Sequence, residues 1–383
     1  MANLFLTPGK ILTGEGALGL AADILKTFGK KALLVTDEMM VKLGNAGRVT
    51  ALLDRLGMDY AIDAEINSEP CDDMIMSGVE QYLREGCDCL IAVGGGSPMD
   101  SMKAIAACAV SGRHINSFLG EPITFSLPPM CAIPTTAGTG SEATQFTIIN
   151  NTQDQIKMLL KGPSLMADLA VVDPAFTMTA PPSVTSSTGL DALCHAVEAY
   201  TSVKAFPMAD TMALSAVKRI FANLPECFHN GKNVQARANM ATAALEAGMA
   251  FNNSSVTIIH GMSRPIGALY HVPHGLSNAM LMDQCLRFAV EGCPDRFCDL
   301  ARTIGVYQQG MSEEAGAHAF LAAVSSLCRE MRVQTPAEFG IDREDFFRNI
   351  SKMADDALAS GSPGNTRRSP SKQEIEEIYR SLF

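Results

Sequence analysis

The segment Cys89-Leu-Ile-Ala-Val-Gly-Gly-Gly-Ser-Pro-Met-Asp100 decides the fold class. Its apolar start predicts a buried strand, its glycines predict a tight turn, and the residues after Pro98 predict a helix. Glycines allow a ligand to approach the backbone closely, and the first turn of a helix offers N–H groups to a phosphate. A purely structural strand-to-helix turn has the same composition, so both interpretations stay open for this segment taken alone.

Short apolar runs alternate with amphipathic segments throughout the first half of the chain. The predicted elements are strands at 32–36, 60–64, 89–93, 130–134 and 169–173, helices at 49–56 and 72–85, a hairpin insertion at 145–160 around Asn150-Asn151, and a final helix ending at Phe383. Such alternation implies a parallel, doubly wound sheet. Beyond Pro181-Pro182 the segments are rich in Ala, Met and Leu with helical periodicity. We therefore predict a Rossmann-like α/β domain at 1–182 and an all-α domain at 183–383.

Composition excludes several classes of partner. The chain has 383 residues, 47% of them hydrophobic, and a formal net charge of −11, which argues against nucleic acid or an anionic membrane surface as the main partner. No apolar run approaches about 18 residues, and the N-terminus lacks the pattern of a signal peptide. The eleven cysteines are scattered without a Cys-x-x-Cys pair. Free thiols in a reducing cytoplasm are therefore expected.

Acidic and imidazole side chains are concentrated in two segments of the second half. Asp191 and His195 are spaced so that a helix places both on one face. The stretch from His260 to His274, which includes His271, holds three of the seven histidines. One carboxylate and several imidazoles suit a borderline divalent metal such as Fe(II) or Zn(II). The spacing therefore predicts a metal site formed by Asp191, His195, His260 and His274.

Two further features suit a nucleotide. Asp37 ends a predicted strand, where an acid can accept hydrogen bonds from a ribose and repel a 2′-phosphate, although a turn aspartate would look the same. It precedes the glycine turn, which reverses the usual order, so an ordinary Rossmann dehydrogenase fits poorly. The loop Pro134-Thr-Thr-Ala-Gly-Thr-Gly-Ser-Glu142 suits contacts with phosphate, ribose or nicotinamide. A helix start capped by Ser141 and Glu142 is the competing interpretation.

Taken together, these motifs resemble the iron-dependent (group III) alcohol dehydrogenases. The resemblance is carried by Gly94–Asp100, Pro134–Glu142, Thr188–Tyr200 and Pro273-His-Gly275, and it spans nearly the whole chain. It implies the fold shared with dehydroquinate synthase, in which a nucleotide-binding α/β domain and a helical domain bring nicotinamide and metal together in a cleft. It also implies NAD(H) and Fe2+ (or Zn2+) as cofactors, a small aldehyde or alcohol as substrate, and a homodimer or larger homo-oligomer.

The resemblance also implies roles for individual residues. The metal ligands are again Asp191, His195, His260 and His274. The predicted cofactor residues include Asp100 and Thr139, which belong to the two loops. The full set is Asp37, Gly95, Gly96, Ser97, Asp100, Thr135, Thr136, Thr139, Thr144 and Lys157. The chain departs from the family at three places. Glu69-Pro70 replaces the usual Asn-Pro, Asn365-Thr-Arg367 replaces Asn-Pro-Arg, and Arg264 stands where members often carry a histidine beside the substrate.

Arg264 bears on the substrate. A guanidinium cannot act as a general base at neutral pH, but it can hold an anion with two N–H groups. The hypothesis is a short anionic aldehyde, with sulfoacetaldehyde (product isethionate) as the leading candidate and succinic semialdehyde (product 4-hydroxybutyrate) or phosphonoacetaldehyde as alternatives. If Arg264 instead pairs with a local acid, a neutral substrate of the lactaldehyde or 1,2-propanediol type is expected. His271 is a candidate proton shuttle, beside water and the cofactor ribose. A lyase of the dehydroquinate synthase type and a non-enzymatic metal-binding protein are the distant alternatives.

Overall fold

The computed structural model describes residues 2–383, which fall into two units. Leu6–Ala180 form a sheet unit. Pro181–Phe383, together with the N-terminal residues up to Phe5, form a helical unit. The predicted fold class, a parallel sheet followed by a helical domain, is confirmed. The boundary predicted at 182 lies at the first residue of the first helix of the helical unit.

The sheet unit is built on six parallel strands. In chain order its strands are β1 (Lys10–Thr13), β2 (Lys31–Val35), β3 (Asp59–Asp63), β4 (Cys89–Gly94), β5 (Met130–Pro134) and β8 (Leu169–Val172), with the hairpin β6 (Phe146–Asn151) and β7 (Ile156–Lys161) outside the sheet. The sheet order is β1-β8-β5-β4-β2-β3. Its helices are α1 (Ala17–Leu20), α2 (Ala22–Leu25), α3 (Glu38–Lys42), α4 (Asn45–Leu56), α5 (Asp72–Glu85) and α6 (Gly96–Ser111).

Both faces of this sheet are covered, as parallel sheets require. Successive residues of a strand point to opposite faces, so Leu33 of β2 joins one apolar cluster with Leu90 and Met102. Its neighbour Leu34 joins a second cluster with Ile91. The strands are therefore continuous apolar runs rather than alternating ones.

The hairpin predicted at 145–160 is present, but its turn lies later than the Asn150-Asn151 pair. β6 and β7 pair in antiparallel register from Phe146–Lys161 to Asn151–Ile156. The intervening turn includes Gln155 with a φ of 54°. The Asn151 carboxamide oxygen accepts hydrogen bonds from the amides of Gln153 and Asp154, which starts the turn after the asparagines.

The helical unit contains ten helices among the described residues. They are α7 (Pro182–Thr201), α8 (Pro207–His229), α9 (Val234–Ser254), α10 (Ile258–Tyr270), α11 (His274–Ala289), α12 (Pro294–Thr303), α13 (Glu313–Glu330), α14 (Pro336–Phe339), α15 (Arg343–Ala359) and α16 (Lys372–Arg380). The last helix was predicted to reach Phe383 but ends at Arg380. Across residues 2–383, no helix has the length and apolar character needed to span a membrane. The eleven cysteines, all within that range, are free thiols.

Candidate functional site

The glycine turn joins β4 directly to α6. Gly95 precedes the helix in an extended conformation, and no side chain caps the first turn, which leaves its amides available to a phosphate. A Cβ at Gly94 would lie 2.5 Å from the Pro98 ring, so that position needs glycine. Gly95, Gly96 and Ser97 therefore stand where a pyrophosphate can approach the helix N-terminus.

The loop at 134–142, here called the threonine loop, faces this turn. It begins after β5, which pairs with β4, so both loops leave the same carboxyl edge of the sheet. A Cβ at Gly96 would lie 3.2 Å from Thr139 Cγ2, which shows how closely the two loops approach. Thr136 Oγ1 is buried and has no hydrogen-bond partner among the described residues. In open α/β sheets ligands bind at this edge, and the unpaired hydroxyl suits a ribose or carboxamide of NAD.

Lys103 joins the turn to the loop, and the sequence predictions missed it. It is fully buried in α6, and its Nζ donates to the carbonyl oxygens of Ser141 at 2.7 Å, Thr144 at 2.9 Å and Phe146 at 2.9 Å. The hydroxyls of Ser141 and Thr144 lie at 3.3 and 3.0 Å from the same atom. Burial lowers the pKa of Lys103 to about 8, against the opposing effect of Asp100 and Glu142. A single lysine in an otherwise apolar stretch of helix was the available signal.

Three predicted cofactor residues form hydrogen bonds within the loop region itself. Asp100 accepts from Ser141 Oγ at 2.5 Å and from the Ile148 amide at 2.9 Å. Thr144 is buried, and its hydroxyl oxygen lies 3.0 Å from Lys103 Nζ. Thr135, also buried, begins the loop and donates its amide to the Gly94 carbonyl at 2.9 Å. These residues therefore hold the threonine loop in position through hydrogen bonds and polar contacts.

Two other predicted cofactor residues lie elsewhere in the sheet unit. Asp37 follows β2 and caps α3, with its Oδ1 accepting from the Met40 amide at 2.8 Å. Lys157, on β7, forms an ion pair of 2.7 Å with Glu69. Glu69 is the residue that replaces the family's asparagine, so this departure supplies a partner for Lys157.

The four predicted metal ligands come together in the helical unit. One ligand atom from each of Asp191, His195, His260 and His274 lies within 4.8 Å of the others. Asp191 and His195 share one face of α7, His260 lies in α10, and His274 is the first residue of α11. Asp191 Oδ1 is 3.6 Å from His260 Nε2 and 3.7 Å from His274 Nε2.

Local packing explains this convergence. A Cβ at Gly275 would lie 2.5 Å from the Ser187 carbonyl oxygen, so glycine lets the start of α11 meet α7. Phe251 of α9 stacks on the His195 ring at 4.1 Å between centroids. Asp191 and His195 are brought together locally by their spacing on α7, whereas His260 and His274 join them through the packing of α10 and α11.

The donor set fits a divalent metal. His195 Nδ1 is buried, lies 4.0 Å from Asp191 Oδ2, and has no hydrogen-bond partner among residues 2–383. Burial by itself would raise the pKa of Asp191, but the imidazoles of His195, His274 and His260 hold it well below its usual range. Burial lowers the pKa of His195 to about 3, so its ring is neutral. One carboxylate and three imidazole nitrogens are ligands for Fe(II) or Zn(II).

Two side chains behind the cluster were missed. Glu198 is fully buried on α7 and accepts from Thr257 Oγ1 at 2.8 Å and from the Ile259 amide at 2.7 Å, and its second oxygen contacts His260 Nδ1. Asn278 Nδ2 lies 2.7 Å from Asp191 Oδ1. Each follows a predicted ligand by one helical turn, Glu198 after His195 and Asn278 after His274, and helical spacing was the signal that could have found them.

Arg264 lies in the middle of α10, and His271 directly follows the end of that helix. Arg264 is mostly buried one turn after His260, and it has no ion pair or hydrogen bond among the described residues. Burial lowers the pKa of Arg264, and the charge of Glu198 opposes that shift. His271 is exposed after the helix end, with a φ of 54°. In the described part of the chain no hydrogen bond connects His271 with the four-residue cluster.

Comparisons with known proteins identify relatives along the whole chain. Residues 8–174 match the iron-containing alcohol dehydrogenase family, and residues 185–383 match the C-terminal part of the Fe-containing alcohol dehydrogenase family. The chain is 35% identical to 1,3-propanediol dehydrogenase of Citrobacter freundii, over 99% of this chain and 98% of that protein. It is 32% identical to lactaldehyde reductase of Escherichia coli (strain K12), over 100% of each.

A solved structure is similar in fold as well. The crystal structure of sulfoacetaldehyde reductase from Bifidobacterium kashiwanohense in complex with NAD+ has a TM-score of 0.89 and 26% identity, covering 100% of this chain and 99% of that one.

Proposed function

This chain belongs to the iron-containing alcohol dehydrogenase family, and we propose that it reduces a short aldehyde that carries an anionic group. Its class is that of an NAD-dependent, metal-containing alcohol dehydrogenase or aldehyde reductase. Within this class the leading substrate is sulfoacetaldehyde, which would give isethionate.

The unpaired Arg264 guanidinium is the single observation that carries the substrate proposal. A mostly buried cation normally has an acid or several hydrogen-bond acceptors beside it, because desolvation without compensation is costly. Arg264 has neither among residues 2–383, and the nearby Glu198 is engaged by His260 and by the Ile259 amide. An anionic substrate group would supply the absent partner, with two N–H groups directed at two oxygens.

The spacing along α10 favours a short substrate. Arg264 follows His260 by one turn, a rise of about 5.4 Å. An aldehyde oxygen near His260 and a sulfonate near Arg264 can be joined by a two-carbon chain. Succinic semialdehyde is longer by one methylene and phosphonoacetaldehyde carries a more highly charged head, so both remain useful members of a substrate panel.

The remaining roles follow from the two units taken separately. In the sheet unit we assign Gly95, Gly96 and Ser97 to the pyrophosphate of NADH, and the threonine loop to its ribose and nicotinamide. In the helical unit we assign Asp191, His195, His260 and His274 to the metal. When bound, the metal supplies a Lewis acid that polarises the aldehyde carbonyl. Arg264 orients the anionic end of the substrate.

His271 is our candidate for carrying the proton to the product alcohol. It is exposed and follows α10 directly, with only two residues between it and His274. Replacing it with phenylalanine should change the dependence of kcat on pH, because a phenylalanine side chain cannot donate or accept a proton. A profile identical to that of the parent protein would assign the proton to water or the cofactor ribose.

The substrate proposal is tested with Arg264→Ala. NADH oxidation is measured with sulfoacetaldehyde, succinic semialdehyde, phosphonoacetaldehyde, lactaldehyde and propanal, with metal analysis of the same sample. Losing a charged hydrogen-bonded pair costs about 1.5–3 kcal/mol, so kcat/KM for sulfoacetaldehyde should fall roughly 10- to 150-fold. The value for propanal should change by less than about threefold on the same reasoning.

Arg219→Ala is the matched control. Arg219 lies in the same unit, where it pairs with Glu246 at 3.2 Å, so its loss should not discriminate between the aldehydes. Equal losses for sulfoacetaldehyde and propanal in Arg264→Ala would contradict the anionic assignment.

A neutral substrate is the second candidate. It is favoured by the similarity to 1,3-propanediol dehydrogenase and lactaldehyde reductase along essentially the whole chain. The same panel separates the two: a protein of this second kind would prefer lactaldehyde over every anionic aldehyde.

A further inference from the structure

We propose that Glu198 is a positioning residue that holds His260 in the orientation and tautomer required of a metal ligand. The inference rests on the metal site of the proposed function and assigns a role to a residue outside the four ligands.

Both oxygens of Glu198 are committed. Oε1 accepts from Thr257 Oγ1 at 2.8 Å and from the Ile259 amide at 2.7 Å. Oε2 contacts His260 Nδ1. The carboxylate is fully buried. A buried carboxylate with this set of donors has its position fixed, and so has the imidazole ring that it contacts.

The contact also selects the tautomer of His260. A carboxylate only accepts hydrogen bonds, so Nδ1 must carry the proton and Nε2 must hold the lone pair. His260 Nε2 is the nitrogen that faces Asp191 Oδ1, at 3.6 Å. The nitrogen left without a proton therefore points into the four-residue cluster, where Asn278 Nδ2 lies 3.1 Å from it. Such a partner also raises the basicity of the ligand nitrogen.

Glu198 has a second, structural contact that the experiment must separate from the first. Ile259 lies in the first turn of α10, so the carboxylate also caps that helix, where a negative charge is favourable. A purely structural role would change the stability of the metal-free protein. The positioning role changes the affinity for metal.

Glu198→Gln separates these effects. Glutamine keeps the size and can still accept from the Ile259 amide, but its NH₂ group then faces His260 Nδ1 as a donor. That contact favours the tautomer with the proton on Nε2, which has no lone pair for a metal. Metal affinity should fall about 10- to 100-fold, the usual effect of removing such a partner.

The measurement is competition between the full-length protein and a chromogenic chelator for Zn(II) and Co(II), with thermal unfolding of the metal-free protein beside it. Glu246→Gln is the control, because Glu246 is a shielded carboxylate of the same unit that binds Ser215 and Arg219 instead. It should keep metal affinity within about threefold of the parent, since a carboxylate outside the ligand network does not orient a ligand.

Affinity within threefold of the parent in Glu198→Gln would overturn the proposal. If that variant does not fold, Glu198→Asp replaces it: the charge stays near the start of α10, but the shorter side chain withdraws from His260, and the same loss of affinity is expected. Parent protein that binds no metal would instead contradict the metal site of the proposed function. The two failures are therefore distinguishable.

Discussion

Lys103 and Arg264 are both cations with reduced access to water, yet they differ in the partners that the chain provides. Lys103, fully buried in the sheet unit, lies within 3.3 Å of five oxygen atoms. Arg264, mostly buried in the helical unit, has no such partner among the described residues. Burial lowers the pKa of both, to about 8 for Lys103.

A structural charge and a charge that binds a ligand differ in whether the chain itself supplies their partners. Lys103 is compensated by the chain itself, so its charge contributes to the shape of the threonine loop. Arg264 lacks compensation, and a desolvated charge without a partner costs stability. A protein can retain this loss of stability where a bound ligand supplies the partner. For this reason we assign Arg264 to substrate binding and Lys103 to the structure of the loop.

The largest effect is expected for Lys103→Met. It leaves the carbonyl oxygens of the loop and the Asp100 carboxylate without their buried cation, and breaking a buried charge in this way costs about 3–5 kcal/mol. Urea unfolding measures the change in the free energy of unfolding. Lys42→Met, which breaks an exposed pair with Glu38, should cost no more than about 1 kcal/mol. Comparable losses in the free energy of unfolding for Lys103→Met and Lys42→Met would contradict the structural role of Lys103.

Arg264→Met should behave in the opposite sense. Since no partner is left behind, the free energy of unfolding should stay within about 1 kcal/mol of the parent or rise. Isethionate at about 100 times its Kd should stabilise the parent by about 2.7 kcal/mol and Arg264→Met far less, which thermal unfolding with and without the anion measures. A loss as large as that of Lys103→Met would make Arg264 a structural residue.

The smallest effect is expected for Glu69→Asn, which restores the residue usual in the family. Lys157 and Glu69 are 30% and 54% exposed, so water screens this pair, and its loss should cost about 0–1 kcal/mol. Unfolding at low and high salt tests the screening, since the difference between variant and parent should shrink as ionic strength rises. A loss in the free energy of unfolding that does not depend on salt would show that the Lys157 charge, like that of Lys103, is not screened by water.

Much of the fold could be predicted from local pattern. The apolar runs located β2, β4 and β5, and the helix predicted at 72–85 has those bounds in α5. β1 was not predicted, because a short edge strand without a continuous apolar run looks like a loop. The hairpin was expected, but its turn was misplaced, since Asn151 bonds to the following amides rather than standing at the centre of the turn.

The candidate site divides in the same way. Helical spacing predicted that Asp191 and His195 share one face, and the two loops were recognised as suited to a nucleotide from their residues. The family resemblance then favoured that interpretation over a purely structural one. Glu198 and Lys103 escaped prediction because their partners are remote: Glu198 contacts His260 across 62 residues, and Lys103 contacts the Phe146 carbonyl across 43.

Local sequence patterns predict the kind of elements, the fold class and the residue types that could hold a metal or a nucleotide, because periodicity and helical spacing act over one or two turns. Which buried charges have partners depends on the tertiary structure. Satisfying a buried charge depends on distant carbonyls, amides and carboxylates arriving within hydrogen-bond distance, and no local pattern encodes that. The difference between Lys103 and Arg264 is therefore visible only in the folded structure.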